Sequence, residues 1–103
     1  MKLNNIMKQA KQMQTQMMQI QEQLANETVE AVVGGGMVTA KFTGQGDMVS
    51  VKIDPEVINP EDTEMLEDLV MSAVNEGIKK SRELMGERMG GLTGALGAMG
   101  MGF

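Results

Sequence analysis

The reactive side chains of this protein are few in kind. Lys, Arg, Asp, Glu and hydroxyl groups are present, but Cys, His, Trp and Tyr are absent and Phe occurs twice. This inventory excludes thiol and imidazole nucleophiles, a Ser-His-Asp triad, thiolate or imidazole zinc sites and disulfides. It argues against an enzyme and offers no cofactor site, metal site or small-molecule substrate site. What remains is charge and its placement. Lys2, Lys8 and Lys11 stand in residues 1–21 without an acid, a local charge of +3. Lys79, Lys80, Arg82 and Arg88 form a second basic stretch, set against Glu83 and Glu87. Between the two, residues 53–78 carry eight acids (Asp54, Glu56, Glu61, Asp62, Glu64, Glu67, Asp68 and Glu76) and no base. The formal charge of −5 therefore conceals a segregation that can steer a polyanion to two places.

Each group also has a plainer explanation as a solvated helix face. For Lys79, Lys80 and Arg82 that explanation is good, because they fall toward a helix C-terminus, where the macrodipole favours cations. Lys2, Lys8 and Lys11 fall in the first half of a helix, where the dipole disfavours them by roughly a few tenths of a kcal/mol. No acid stands at i±4 to offset them, so they are the sharper functional hint. The acids at 61–64 are explained by a helix start, and no spacing matches a calcium loop. Gly34-Gly35-Gly36 leads into a strand and lacks the Gly-Lys-Ser/Thr of a phosphate loop, so it reads as a turn.

The elements that position these groups follow from periodicity. Leu3, Ile6, Ala10, Met13, Met17, Ile20 and Leu24 are spaced 3, 4, 3, 4, 3, 4, an a/d seam that predicts a helix over 3–26. Its e and g positions are Met and Gln, which suits a homotypic or intrachain partner. Strands are expected at about 28–33, 37–43 and 47–53, joined by Gly turns into an antiparallel meander with one buried face. Val38, Ala40 and Phe42 oppose Thr39, Lys41 and Thr43, while Val49, Val51 and Ile53 oppose Ser50 and Lys52. Asn59 reads as an N-cap with Pro60 at the first helical position, giving a second helix over 60–85 with a stop at Gly86. Seven of the eighteen residues from Gly86 to Phe103 are Gly, so 86–103 reads as a flexible Gly/Met tail. The expected class is α+β: long helix, three-stranded sheet, long helix, tail, with residues 1–85 as a single domain. Thirteen Met and two Phe make a thin core for 103 residues, and oligomerisation is the expected remedy. No apolar run is long enough to span a bilayer, and no apolar h-region follows Lys2, so neither a membrane anchor nor a secretory signal is expected. The absence of Cys fits a reducing cytoplasm.

Several segments together resemble the YbaB/EbfC family of small bacterial nucleoid-associated proteins. They are Met-Lys-Gln-Ala-Lys-Gln-Met-Gln at 7–14, the run from Gly34 through Ile53-Asp54-Pro55-Glu56, Glu-Met-Leu-Glu-Asp-Leu at 64–69, Ala73-Val74-Asn75-Glu76, and Leu92-Thr93-Gly94. The resemblance covers nearly the whole chain in order. It implies a tweezer-like homodimer whose sheets form the dimer core and whose helices project as arms. It further implies double-stranded DNA as partner, bound with little sequence preference, and a cytoplasmic, nucleoid location. The family's DNA contacts are attributed to the arms, which here carry Lys2, Lys8, Lys11, Lys79, Lys80 and Arg82. The competing expectation is a prefoldin-like chaperone or scaffold that holds apolar clients on Met-rich helices.

Overall fold

A computed structural model describes residues 2–98, with side chains through Gly90. Helix α1 spans Lys2–Asn26, strands β1, β2 and β3 span Thr28–Val33, Val38–Thr43 and Met48–Ile53, and helix α2 spans Thr63–Ala98. A single 3-10 turn, Pro55–Val57, joins β3 to α2. The sheet is antiparallel in the order β1-β2-β3, the helix–sheet–helix arrangement that the hydrophobic periodicities predict. Val29, Ala31 and Val33 pair with Phe42, Ala40 and Val38, so one face of β1 and β2 is continuously apolar. Helix α2 lies across that face. Val38, Ala40, Phe42 and Ala73 are fully buried there, with Leu69, Val74 and Ile78 packed around them.

Backbone and ring meet directly at the centre of this core. A Cβ on Gly77 would overlap the Phe42 ring, so the absence of a side chain at 77 lets this core aromatic sit on the helix backbone. The β1–β2 turn has a different need for glycine. Gly34, Gly35 and Gly36 all have positive φ, at 61°, 67° and 96°, a run that side-chain-bearing residues rarely adopt.

Three expectations are corrected. Strand β3 shares the buried face only at Ile53, which packs against the core, whereas Val49 is 53% and Val51 45% exposed. The cause is placement, since α2 packs on β1 and β2 and β3 lies at the edge of the sheet. Asn59 does not cap α2. Its side-chain Oδ1 accepts from the Glu61 N–H at 3.0 Å and its carbonyl accepts from the Asp62 N–H at 3.0 Å, which closes a turn around Pro60 and delays the helix to Thr63. Nor does α2 stop at Gly86. It continues through Gly86, Gly90 and Gly91 to Ala98, and residues 99–103 of the expected tail lie outside the described residues.

What holds α2 beyond Gly86 is an ion pair. The Arg88 guanidinium donates from Nε to Oε2 of Glu27 at 2.8 Å and from Nη2 to Oε1 of the same carboxylate. It ties α2 to the junction of α1 and β1 across 61 residues of sequence. Gly44 reinforces that junction by donating its N–H to the carbonyls of Leu24 and Glu27, and the Gln45 side chain donates to the Gln21 carbonyl.

The hydrogen bonds from Arg88, followed by its charge, hold the Glu27 carboxyl below the ordinary value of 4.5. A carboxyl depressed on folding stabilises the native state above its unfolded value, and that contribution is lost as pH falls through the folded value. Arg88→Met should therefore lower the melting temperature at pH 6, and the gap from the parent protein should narrow toward pH 3. A gap of equal size at both pH values would mean that the pair does not stabilise the fold.

Candidate nucleic-acid interface

Helix α1 leaves the sheet as a long arm, and the molecule measures 72 × 23 × 16 Å. Its apolar seam is covered unevenly. Leu24 is buried, and Ile20 and Met13 are half-buried, whereas Leu3 is 70% and Ile6 61% exposed. The arm is thus anchored at its C-terminal end and open toward its N-terminus. No acid occurs in it before Glu22.

Lys2, Lys8 and Lys11 are all exposed on this open portion. Lys8 and Lys11 are three residues apart and share a surface with Gln12, Thr15 and Gln16. Lys79 and Arg82, also three apart, are exposed on α2 beside Asn75 and Glu83. Among the described residues, the side chains of Lys2, Lys8, Lys11, Lys79 and Arg82 make no hydrogen bond or ion pair. A surface ammonium without an internal partner can meet a phosphate without first giving up a contact.

Lys80 differs from them. Its Nζ donates to the main-chain carbonyl of Glu30 at 2.8 Å, which fastens α2 to β1, and the side chain is half-buried. The neighbouring Ser81 is buried and donates to the Thr43 carbonyl at 2.8 Å. The turn 79–82 therefore divides its side chains between the sheet and solvent.

The two basic groups are not brought together within one chain. Lys11 lies about 24 Å along α1 from Glu27, and Arg82 lies about 9 Å back along α2 from Arg88, at 1.5 Å rise per residue. Since Glu27 and Arg88 are paired, the first group is out on the arm and the second is beside the sheet. The acids collect at the opposite pole. Asp54 caps the 3-10 turn and Glu56 lies within it, and Glu61, Asp62, Glu64, Glu67 and Asp68 surround the start of α2, all exposed except the half-buried Asp54. Two cations outside the expected set, Lys41 and Lys52, occupy neighbouring strand positions, with Lys41 opposite Glu30 and Lys52 opposite Thr39. The alternation of β2 and β3 placed them on the sheet's polar face.

Among the described residues, no group of three or more acidic or imidazole side chains could hold a metal ion, and no helix is long and apolar enough to cross a membrane.

The chain is similar to known proteins over nearly its whole length. The sequence profile of the YbaB/EbfC DNA-binding family matches residues 1–96. A nucleoid-associated protein of Pelotomaculum thermopropionicum is 43% identical over 99 residues, covering 96% of this chain and 94% of the relative. Another, from Syntrophobacter fumaroxidans, is 46% identical over 97 residues, covering 94% of this chain and 88% of the relative. Among solved structures, the crystal structure of an uncharacterized protein from Helicobacter pylori superposes with a TM-score of 0.78 at 28% identity, covering 93% of this chain and 98% of that one. The family profile spans nearly the whole chain and the relatives are matched over most of their own length, and the chain belongs to the YbaB/EbfC DNA-binding family.

Proposed function

We propose that this protein binds duplex DNA in the nucleoid as a homodimer, without catalysis, through phosphate contacts made by its helical arms. The observation that carries the reading is the set Lys2, Lys8 and Lys11. These cations are exposed and unpaired on an arm that holds no acid before Glu22, in a chain of a DNA-binding family. Lys79 and Arg82 are a second, weaker contact surface, and Lys80 is assigned mainly to holding α2 on β1. Contacts of this kind position a protein on the backbone without reading bases.

The homodimer is supported by β3. Met48, Val49 and Val51 are exposed large apolar side chains on an edge strand, and an open apolar edge is a liability that proteins cover. A second copy of the same sheet is the complementary cover. It would also supply the core that a chain this poor in aromatics lacks.

Fluorescence anisotropy of a labelled duplex, titrated from about 50 to 200 mM salt, tests the reading. Saturable binding is expected, with affinity falling by about 0.9 log unit per log unit of salt for each phosphate held, by a species sedimenting at twice 11.1 kDa. Flat anisotropy at the lowest salt would overturn it. Leu3, Ile6, Met7 and Met18 are exposed on the same arm, which favours a chaperone-like clamp as the second reading. Suppression of client aggregation that persists at high salt would then take its place.

A further inference from the structure

Near the tip of α1 the side chains are arranged in a way that phosphate binding alone does not require. On a helix advancing about 100° per residue, Leu3, Ile6, Met7 and Ala10 fall within an arc about 100° wide. Lys2 lies about 40° beyond the Ile6 edge and Lys11 about 40° beyond the Met7 edge. The apolar strip is exposed, with Ile6 and Met7 each at 61%. It continues the seam that is covered further along at Ile20 and Leu24. An apolar strip with one ammonium along each border matches a groove with a phosphate wall on each side. A second copy laid on the strip would instead set these lysines against their counterparts.

The width and chemistry of B-DNA identify the groove. The major groove is about 12 Å wide and admits a helix, whereas the minor groove, at about 6 Å, does not. Lys2 to Lys11 spans about 14 Å of helix, close to four base steps of about 3.4 Å. A strip of Leu, Ile, Met and Ala has no hydrogen-bonding group to offer the groove floor. Donors and acceptors of the bases beneath it would lose water without gaining a partner, which is unfavourable. The one apolar feature displayed there is the C5 methyl of thymine.

We infer that α1 seats its tip in the major groove with Leu3, Ile6, Met7 and Ala10 over thymine methyl groups, while Lys2 and Lys11 hold the flanking phosphates, giving the protein a preference for A·T-rich duplex. The inference rests on the DNA-binding reading and adds to it a base preference and the residues that exert it. Lys8, about 150° from the centre of the strip, takes no part in this selection.

The test compares two otherwise identical 20-base-pair A·T duplexes, one of which has deoxyuridine in place of every thymidine, so that only the methyl groups differ. The full chain should bind the thymidine duplex about fourfold or more tightly, the expected effect of burying a single methyl group. In the double variant Leu3→Gln/Ile6→Gln that preference should vanish while the salt slope is unchanged, because every lysine is retained. Both positions are exposed, so the variant should keep the parent's circular dichroism. Equal affinity of the parent protein for the two duplexes would overturn the inference, and so would a preference that survives in the variant. Equal affinity together with a smaller assembly for the variant in the ultracentrifuge would identify a second copy as the occupant of the strip, which also overturns it. Failure to bind either duplex is a distinct result, and it removes the DNA-binding reading itself.

Discussion

Truncating Phe42 to Ala is expected to cost about 3–5 kcal/mol, the range for deleting a buried ring. The side chain is 2% exposed and fills the space between β2 and the bare backbone at Gly77. Its neighbours Val38, Ala40 and Ala73 are too small to collapse into the cavity. Small domains are stable by only about 5–15 kcal/mol, so this one change removes a large share of the total. With a urea dependence of about 1–3 kcal/mol per molar, the unfolding midpoint should fall by more than about 1 M at fixed protein concentration. Gly77→Ala attacks the same contact from the other side and should cost about 1–3 kcal/mol by overpacking. Because the two positions touch, Phe42→Leu combined with Gly77→Ala should be less destabilised than the sum of the two single changes. A Phe42→Ala midpoint within about 0.3 M of the parent's would mean that the ring is not the keystone of this core.

The second large effect concerns the arm. Reversing both Lys8 and Lys11 to Glu should weaken duplex binding about tenfold or more at 50 mM salt, equally for all sequences in its phosphate component. The log–log salt slope should fall by about 0.9 for each lysine that holds a phosphate. Folding and assembly mass should be unaffected, since neither side chain makes an internal hydrogen bond or ion pair. Lys79→Glu/Arg82→Glu should do less, because those residues lie beside the sheet rather than out on the arm. Unchanged affinity in the Lys8/Lys11 variant would remove α1 from the contact surface.

Where local pattern determines structure, the sequence was informative. The alternation of Val38, Ala40 and Phe42 places each on the buried face of β2, and the spacing from Leu3 to Leu24 identifies α1 and the side on which it packs. Three features depend on distant neighbours and left no such signature. Val49 and Val51 alternate as a buried strand would, but burial depends on where α2 crosses the sheet. Gly86 looks like a helix stop because glycine costs about 1 kcal/mol in a helix interior, yet the Arg88–Glu27 pair draws α2 onward. The candidate site is legible as a charge pattern, and Lys2, Lys8 and Lys11 are exposed on α1. Adjacency in sequence groups Lys80 with Lys79 and Arg82, whereas its bond to the Glu30 carbonyl lies across 50 residues.

The separation of acids around the start of α2 from lysines near the tip of α1 has a kinetic consequence. A body with opposite charge at its two poles experiences a torque in the field of a polyanion, so on the proposed reading it would arrive arm first and reject encounters in which the sheet end leads. Each docked molecule would then turn a negative pole outward. Molecules seated side by side on one duplex would repel through those poles within about a Debye length, 8–10 Å at ordinary ionic strength. Occupancy would space itself out along the duplex, and a coated filament would present an acidic exterior that resists clumping with its neighbours.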